Sequence, residues 1–127
     1  MTTPSKKPRI LIIDDEEDFV AEMVMRLESE GCRVRAALDA AAGLKKVKTF
    51  HPDLVFLDVL MPDANGWEIC RKLRNDSETK QILIVMTTGL PPSEVQPSIE
   101  NFGANFLLKK PFEEKELKNL LARILPR

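Results

Sequence analysis

The chain has 127 residues, of which 43% are hydrophobic and 31% charged, and its 19 basic and 20 acidic residues leave a formal net charge of -1. A chain of this length fits one domain and buries enough surface for a real core, so it requires no disulfide staple. The balanced charge excludes a general electrostatic field for nucleic acid or anionic lipid.

The first residues predict a tail rather than a targeting segment. Residues 1–8 are polar and contain two prolines, so we expect a flexible tail there and one domain over residues 9–127. The apolar run at residues 10–13 is too short for a signal-peptide core or a membrane span. Cys32 and Cys70 lie far apart in apolar patterns, which indicates core packing in a reducing compartment. We therefore expect a cytoplasmic protein without membrane insertion.

Short apolar runs alternate with amphipathic segments along the rest of the chain. The predicted strands cover residues 9–14, 33–37, 54–58, 82–87 and 106–109. Four predicted helices carry apolar residues at helical spacing: Phe19, Val20, Met23, Val24 and Leu27; Leu44, Val47 and Phe50; Trp67, Cys70 and Leu73; and Leu117, Leu120, Leu121 and Ile124. Between the fourth and fifth strands, Pro97 removes a backbone donor, so we expect a short or distorted helix there.

This alternation predicts an α/β fold, a doubly wound parallel sheet of five strands flanked by five helices. In the flavodoxin-like strand order 2-1-3-4-5, the order reverses between strands one and three, and ligands bind at the carboxyl ends of the strands near that point. Polar residues follow four of the predicted strands at those ends: Asp14, Asp15, Asp58, Thr87, Thr88, Lys109 and Lys110.

Three of these residues are carboxylates that meet if strands one and three are neighbours. Asp58 then lies beside Asp14 and Asp15, and each close pair repels by a few kcal/mol, on the order expected at an effective dielectric near 20. Either bound protons or a hard divalent cation such as Mg²⁺ would offset this repulsion. With the ammonium of Lys110 and a hydroxyl nearby, the set fits phosphoryl transfer to an aspartate.

Each of these residues also has an ordinary structural explanation. The DDEED run suits the N-terminus of a helix, Asp58 suits a turn, the two threonines suit a strand, and paired lysines are usually solvated. The functional interpretation gains weight because all of them occur at the same ends of successive strands.

Four segments, ILIIDDEE, PDLVFLDVLMPDANGWE, MTTG and GANFLLKKPF, carry a resemblance to a known family. In this order and spacing, the chain resembles the receiver domains of bacterial two-component response regulators from residue 9 to residue 125. The resemblance includes the fold of the single-domain, chemotaxis-type regulators. It implies that residues 9–127 form a receiver domain of a signalling protein, which catalyses only its own phosphorylation and slow dephosphorylation.

The resemblance also implies roles for the acidic residues. Asp58 would accept a phosphoryl group from the phosphohistidine of a histidine kinase or a histidine phosphotransfer protein. Mg²⁺ would be bound by Asp58, by Asp15 directly, by Asp14 largely through water, and by the backbone carbonyl of Leu60.

A further set of residues would sense the phosphoryl group. Lys110 would contact it, and the bond from Lys110 to Pro111 would be cis, as in the family. Of the two threonines, Thr88 is expected to supply the switch hydroxyl because it precedes the small residue Gly89 and lies at the family's distance from Lys110. Thr87 would then point the other way.

The chain departs from the family at Leu107, where a tyrosine or phenylalanine is common. That ring turns inward when the threonine moves toward the phosphoryl group. Phe106 is adjacent, but side chains alternate along a strand, so it should face the opposite side. We therefore expect a muted or differently built switch. Its output would be contact with a downstream protein, without direct nucleic-acid contact, and a phosphorylation-linked dimer is left open.

Three other interpretations compete with a phosphoacceptor. A phosphorylation-independent, receiver-like binding module would keep the fold without the chemistry, and it ranks second. A hydrolase of the haloacid dehalogenase type requires a second aspartate where Leu60 stands. A flavodoxin cradles a phosphate in the loop after its first strand, whereas DDEED would repel one.

Overall fold

A computed structural model describes residues 7–125, so most of the predicted tail lies outside the described residues. The strands are β1 (Arg9–Ile13), β2 (Arg33–Ala37), β3 (Leu54–Asp58), β4 (Leu60–Met61), β5 (Ala64–Asn65), β6 (Leu83–Thr88) and β7 (Phe106–Lys109). The helices are α1 (Glu17–Ser29), α2 (Ala40–Phe50), α3 (Gly66–Asn75), α4 (Pro92–Phe102) and α5 (Glu114–Ile124). Over residues 7–125, each helix is too short or too polar to cross a membrane.

Five parallel strands form the main sheet in the order β2-β1-β3-β6-β7. Since β6 and β7 are the fourth and fifth strands of this sheet along the chain, the predicted order 2-1-3-4-5 is confirmed. The strands β4 and β5 form a separate antiparallel hairpin directly after β3. This hairpin was not predicted from the sequence, because two-residue strands leave no periodic pattern.

Two hydrophobic layers cover the sheet, and the central strand β3 contributes to both. Val55 and Leu57 pack in the layer formed with α2, α3 and α4, whereas Leu54 and Phe56 pack in the layer formed with α1 and α5. We call these the α2–α4 layer and the α1/α5 layer. A strand buried on both faces requires a continuous apolar run, which is what this segment shows. By the same alternation, Asp58 ends β3 on the side of the α1/α5 layer.

The chain turns tightly after Asp58 because α3 begins very close to the end of β3. The amide of Gly66 donates to the carbonyl of Val59 at 2.7 Å. A Cβ atom at Gly66 would lie 2.1 Å from the carbonyl oxygen of Asp58, so no larger residue fits there. Asn65 accepts a bond from the Trp67 amide at 2.8 Å and so caps the helix. These contacts fix the backbone that carries Asp58.

The fourth helix is not short, although Pro97 predicted a short or distorted helix there. It spans eleven residues, as do α2 and α5, and continues through Pro97. Pro91 and Pro92 stand at its start, where a fixed φ suits the first turn and a missing amide donor costs nothing. At its other end, the Phe102 ring lies 5.7 Å from the Trp67 ring, which anchors α4 on α3.

Candidate functional site

Three carboxylates meet where β1 and β3 end side by side. The pairing of Ile13 with Leu57 makes Asp14 and Asp58 neighbours on the same face of the sheet. Asp14 is 1% exposed and Asp58 is 6% exposed. Oxygen atoms of Asp14, Asp58 and Glu16 all lie within 4.8 Å of one another. The meeting of acids from the first and third strands, predicted from the sequence, is therefore present.

Glu16 belongs to this close cluster, although the sequence analysis did not assign it a role. Glu16 is the third acid of the DDEED run, but a run of acids in the sequence does not show which side chain turns toward Asp58. Asp15 instead lines the rim of an open pocket of about 310 Å³ next to Asp58. Leu60 is exposed and lines the same pocket, and because a leucine side chain has no ligand atom, only its backbone carbonyl could bind a metal.

Lys110 faces the carboxylates, as predicted. Its Nζ donates to Asp14 Oδ2 at 2.7 Å and to Glu16 Oε1 at 2.8 Å, and it lies 3.8 Å from Asp58 Oδ1. The ammonium also lies 4.2 Å from the centroid of the Phe19 ring. Burial lowers the pKa of Lys110, but its hydrogen bonds to Asp14 and Glu16 outweigh burial and raise the pKa overall. Lys110 therefore remains a fixed cation in the site.

The backbone next to Lys110 is held in place at the same time. The Lys110 amide donates to the carbonyl of Thr88 at 2.7 Å, which connects the end of β7 to the end of β6. The bond between Lys110 and Pro111 is cis, as the resemblance implied.

Asp58 is the carboxylate with the most strongly perturbed environment. Burial raises its pKa to about 7, repulsion from Asp14 adds to the rise, and attraction to Lys110 opposes it. No described residue donates a hydrogen bond to its carboxylate, and the closest cation is Lys110 at 3.8 Å. Asp58 also lines the open pocket. Its oxygens are therefore accessible and free of hydrogen bonds.

Only one of the two threonines lines this pocket. Thr88 is buried but reaches the pocket, and its hydroxyl accepts a bond from the Leu90 amide at 3.1 Å. Thr87 is not among the lining residues and lies on the other face of β6 by strand alternation. The choice of Thr88 as the switch hydroxyl stays a prediction.

The positions of Leu107 and Phe106 agree with the alternation expected along a strand. Leu107 packs against the α2–α4 layer, whereas Phe106 packs against the α1/α5 layer. Both are half-buried, and the Phe106 ring centroid lies 5.7 Å from the Arg123 guanidinium. Phe106 therefore does not substitute for an aromatic residue at position 107.

Comparison with known proteins identifies relatives of the whole domain. The model of the response regulator receiver domain matches residues 10–122. The DNA-binding dual master transcriptional regulator RpaA of Synechocystis sp. is 37% identical over 92% of this chain and 47% of its own length. The chain thus spans about half the length of the curated relatives that it matches.

Solved structures agree with these matches. The chemotaxis protein CheY4 of Vibrio cholerae aligns with a TM-score of 0.89 at 28% identity, over 94% of this chain and 100% of that chain. A putative response regulator from Chloroflexus aurantiacus aligns with a TM-score of 0.86 at 35% identity, over 96% of this chain and 100% of that chain.

The raised pKa of Asp58 predicts a pH-dependent loss of stability in the metal-free protein. The folded state holds a proton on Asp58 up to its raised pKa of about 7, whereas the unfolded state releases it near the ordinary aspartate pKa of 3.8. The stability that this proton contributes is fully present below about pH 4 and is lost as the pH rises to about 7. The asparagine in Asp58→Asn stays neutral at every pH. The free energy of unfolding of this variant should therefore exceed that of wild type by a margin that grows by about 2–4 kcal/mol from pH 4 to pH 8.

Urea unfolding of both proteins in the presence of a chelator measures this difference. A gap between Asp58→Asn and wild type that does not change from pH 4 to pH 8 would contradict the assignment.

Proposed function

Because the chain belongs to the response regulator receiver domain family, we propose that it is a Mg²⁺-dependent phosphoryl acceptor in two-component signalling, with Asp58 as the nucleophile. The observation that carries this proposal is the Asp58 carboxylate. It is nearly buried beside Asp14, has Lys110 at 3.8 Å, accepts no hydrogen bond from a described residue, and still borders an open pocket. A carboxylate in this setting is costly for stability, which is typical of a functional group.

The proposed donor is the phosphohistidine of a histidine kinase or a histidine phosphotransfer protein. One oxygen of ionised Asp58 attacks phosphorus, and the bond between phosphorus and the imidazole nitrogen breaks. The bonding electrons stay on that nitrogen, which takes one proton from solvent and leaves as neutral imidazole. Lys110 lies close enough to Asp58 to contact an oxygen of the transferred group.

The acidic residues at this site fit a hard divalent cation. Asp14, Glu16 and Asp58 offer oxygens within 4.8 Å of one another, and Asp15 and Leu60 line the same opening. The proposed ligands are Asp58, Asp15 and the backbone carbonyl of Leu60, with Asp14 held through water. When bound, Mg²⁺ supplies positive charge to the crowded carboxylates and to the phosphoryl oxygens.

The proposed output is a change in how this domain contacts a downstream protein. Phosphorylation adds about two negative charges at the strand ends and biases an equilibrium between two states of the surrounding loops. RpaA is named as a DNA-binding regulator, and this chain spans 47% of it. With a net charge of -1, the domain itself offers no general basic surface, so we assign no nucleic-acid contact to it. A dimer that forms on phosphorylation would be another way to change the contact with a downstream protein.

Incubation with acetyl phosphate and Mg²⁺, followed by intact mass measurement, tests the function. Wild type should gain one phosphoryl group, because Asp58 supplies one accessible nucleophile. Asp58→Asn and chelator-treated wild type should gain none. The matched control is Asp53→Asn at the opposite end of the same segment, which should still be phosphorylated.

Two results would count against this function. Wild type that stays unmodified would favour a phosphorylation-independent binding module, and an equally modified Asp58→Asn protein would place the nucleophile elsewhere.

The switch that follows phosphorylation is proposed to be muted at Leu107. A leucine is half-buried against the α2–α4 layer, and no ring is present there to turn inward behind Thr88. With beryllofluoride as a phosphoryl mimic, amide chemical shifts of wild type should change mainly in the loops around Asp58 and Thr88. In Leu107→Tyr the changes should extend further, into β7 and α5. Changes that reach β7 and α5 equally in both proteins would refute the muted switch.

A further inference from the structure

Thr87 carries a buried hydroxyl that has no hydrogen-bond partner. The residue is 1% exposed, and its Oγ1 is the only buried side-chain nitrogen or oxygen without a partner among the described residues. Burying a hydroxyl without a partner costs free energy, and a valine of nearly the same shape would avoid that cost. An orphaned polar group of this kind therefore requires an explanation.

Other buried threonine hydroxyls of the protein do have partners. Thr79 donates to the carbonyl of Leu73 at 2.6 Å, and Thr88 accepts from the Leu90 amide at 3.1 Å. Thr87 and Thr88 are neighbours in β6, so by strand alternation their side chains lie on opposite faces of the sheet. Since β6 is paired with β3 on one side and with β7 on the other, the backbone groups around Thr87 are occupied by the sheet ladder.

Four residues adjoin Thr87 on its own face of the sheet, and one of them is polar. Val85 precedes it on that face of β6, and Gly89, which has no side chain, follows it just past the end of the strand. Across the sheet, Thr87 is paired with Leu108 on one side and with Asp58 on the other. Asp58 is therefore the only polar side chain among these four neighbours.

The Asp58 carboxylate can accept a hydrogen bond, since no described residue donates one to it. The backbone already connects the two positions, because the Val59 amide donates to the Thr87 carbonyl at 3.0 Å. A change of the Thr87 rotamer exchanges its hydroxyl and its methyl group with little movement of other atoms. The hydroxyl can thus turn toward Asp58 without a change in the strand.

We propose that Thr87 is a positioning residue for phosphorylation, whose hydroxyl donates to the Asp58 oxygen that does not attack phosphorus. This inference rests on the proposed function of Asp58. The hydrogen bond holds the plane of the carboxylate while the other oxygen stays directed into the open pocket. Thr87 keeps its proton throughout, so it changes the rate through orientation rather than through proton transfer.

Two pairs of variants isolate the hydroxyl from the shape of the side chain. Thr87→Val keeps the shape of wild type and lacks the hydroxyl, and Thr87→Ala lacks the hydroxyl that Thr87→Ser retains. The initial rate of phosphorylation is measured against acetyl phosphate concentration with Mg²⁺ and read by intact mass. The stability of each variant is measured by urea unfolding.

We expect Thr87→Val to be phosphorylated about tenfold more slowly at saturating acetyl phosphate, the loss typical of one hydrogen bond to a charged group. It should nevertheless unfold at an equal or higher urea concentration than wild type, because an orphaned hydroxyl has been removed. Thr87→Ser should stay within about threefold of the wild-type rate, and Thr87→Ala should be as slow as Thr87→Val.

Thr79→Val is the matched control, since its hydroxyl is already bonded and lies away from the site. It should lower stability and leave the phosphorylation rate unchanged. A wild-type rate in Thr87→Val, or a Thr87→Ser protein as slow as Thr87→Ala, would overturn the inference while wild type is still phosphorylated. Wild type that gains no phosphoryl group would instead overturn the proposed function itself.

Discussion

The structure depends on the crowding of negative charge where β1 and β3 end side by side. Parallel pairing of these central strands places Asp14 and Asp58 next to each other, and the first turn of the following loop adds Glu16. Both strands are buried on their two faces, so the carboxylates sit over a dry core with little water to separate them. One cation, Lys110, contacts all three. The remaining negative charge is unfavourable for folding and favourable for binding a cation and a phosphoryl group.

The surrounding elements keep this arrangement from relaxing. Gly66 lets α3 begin in close contact with the backbone carbonyl of Asp58, which fixes the end of β3. The Lys110 amide is tied to the Thr88 carbonyl, which holds the lysine over the carboxylates. Burial of Asp58, with repulsion from Asp14 added to it, therefore raises the pKa of this carboxyl group. Energy stored in this way is available when a ligand with the opposite charge binds.

Much of this arrangement could be predicted from the sequence, because it follows from periodicity and topology. The apolar run of β3 predicts a strand buried on both faces, and its position in a parallel sheet predicts where Asp58 must lie. Details that depend on side-chain direction could not be predicted. The part played by Glu16 depends on a turn geometry that a run of acids does not reveal, and the orphaned hydroxyl of Thr87 depends on which neighbours lack polar atoms. The eleven-residue length of α4 could not be predicted either, because a proline within a helical pattern can shorten a helix or leave its length unchanged.

The central claim is that the clustered carboxylates form a binding site for a divalent cation. The most direct test measures the free energy of unfolding at pH 8 as Mg²⁺ is added. In wild type it should rise steadily with the logarithm of Mg²⁺ concentration once the site begins to fill, because only the folded state brings Asp14, Glu16 and Asp58 together, with Asp15 at the rim of the same site. In Asp58→Asn the rise should be much smaller and begin at a higher Mg²⁺ concentration. An unfolding free energy that Mg²⁺ leaves unchanged in wild type, or raises equally in both proteins, would contradict the account.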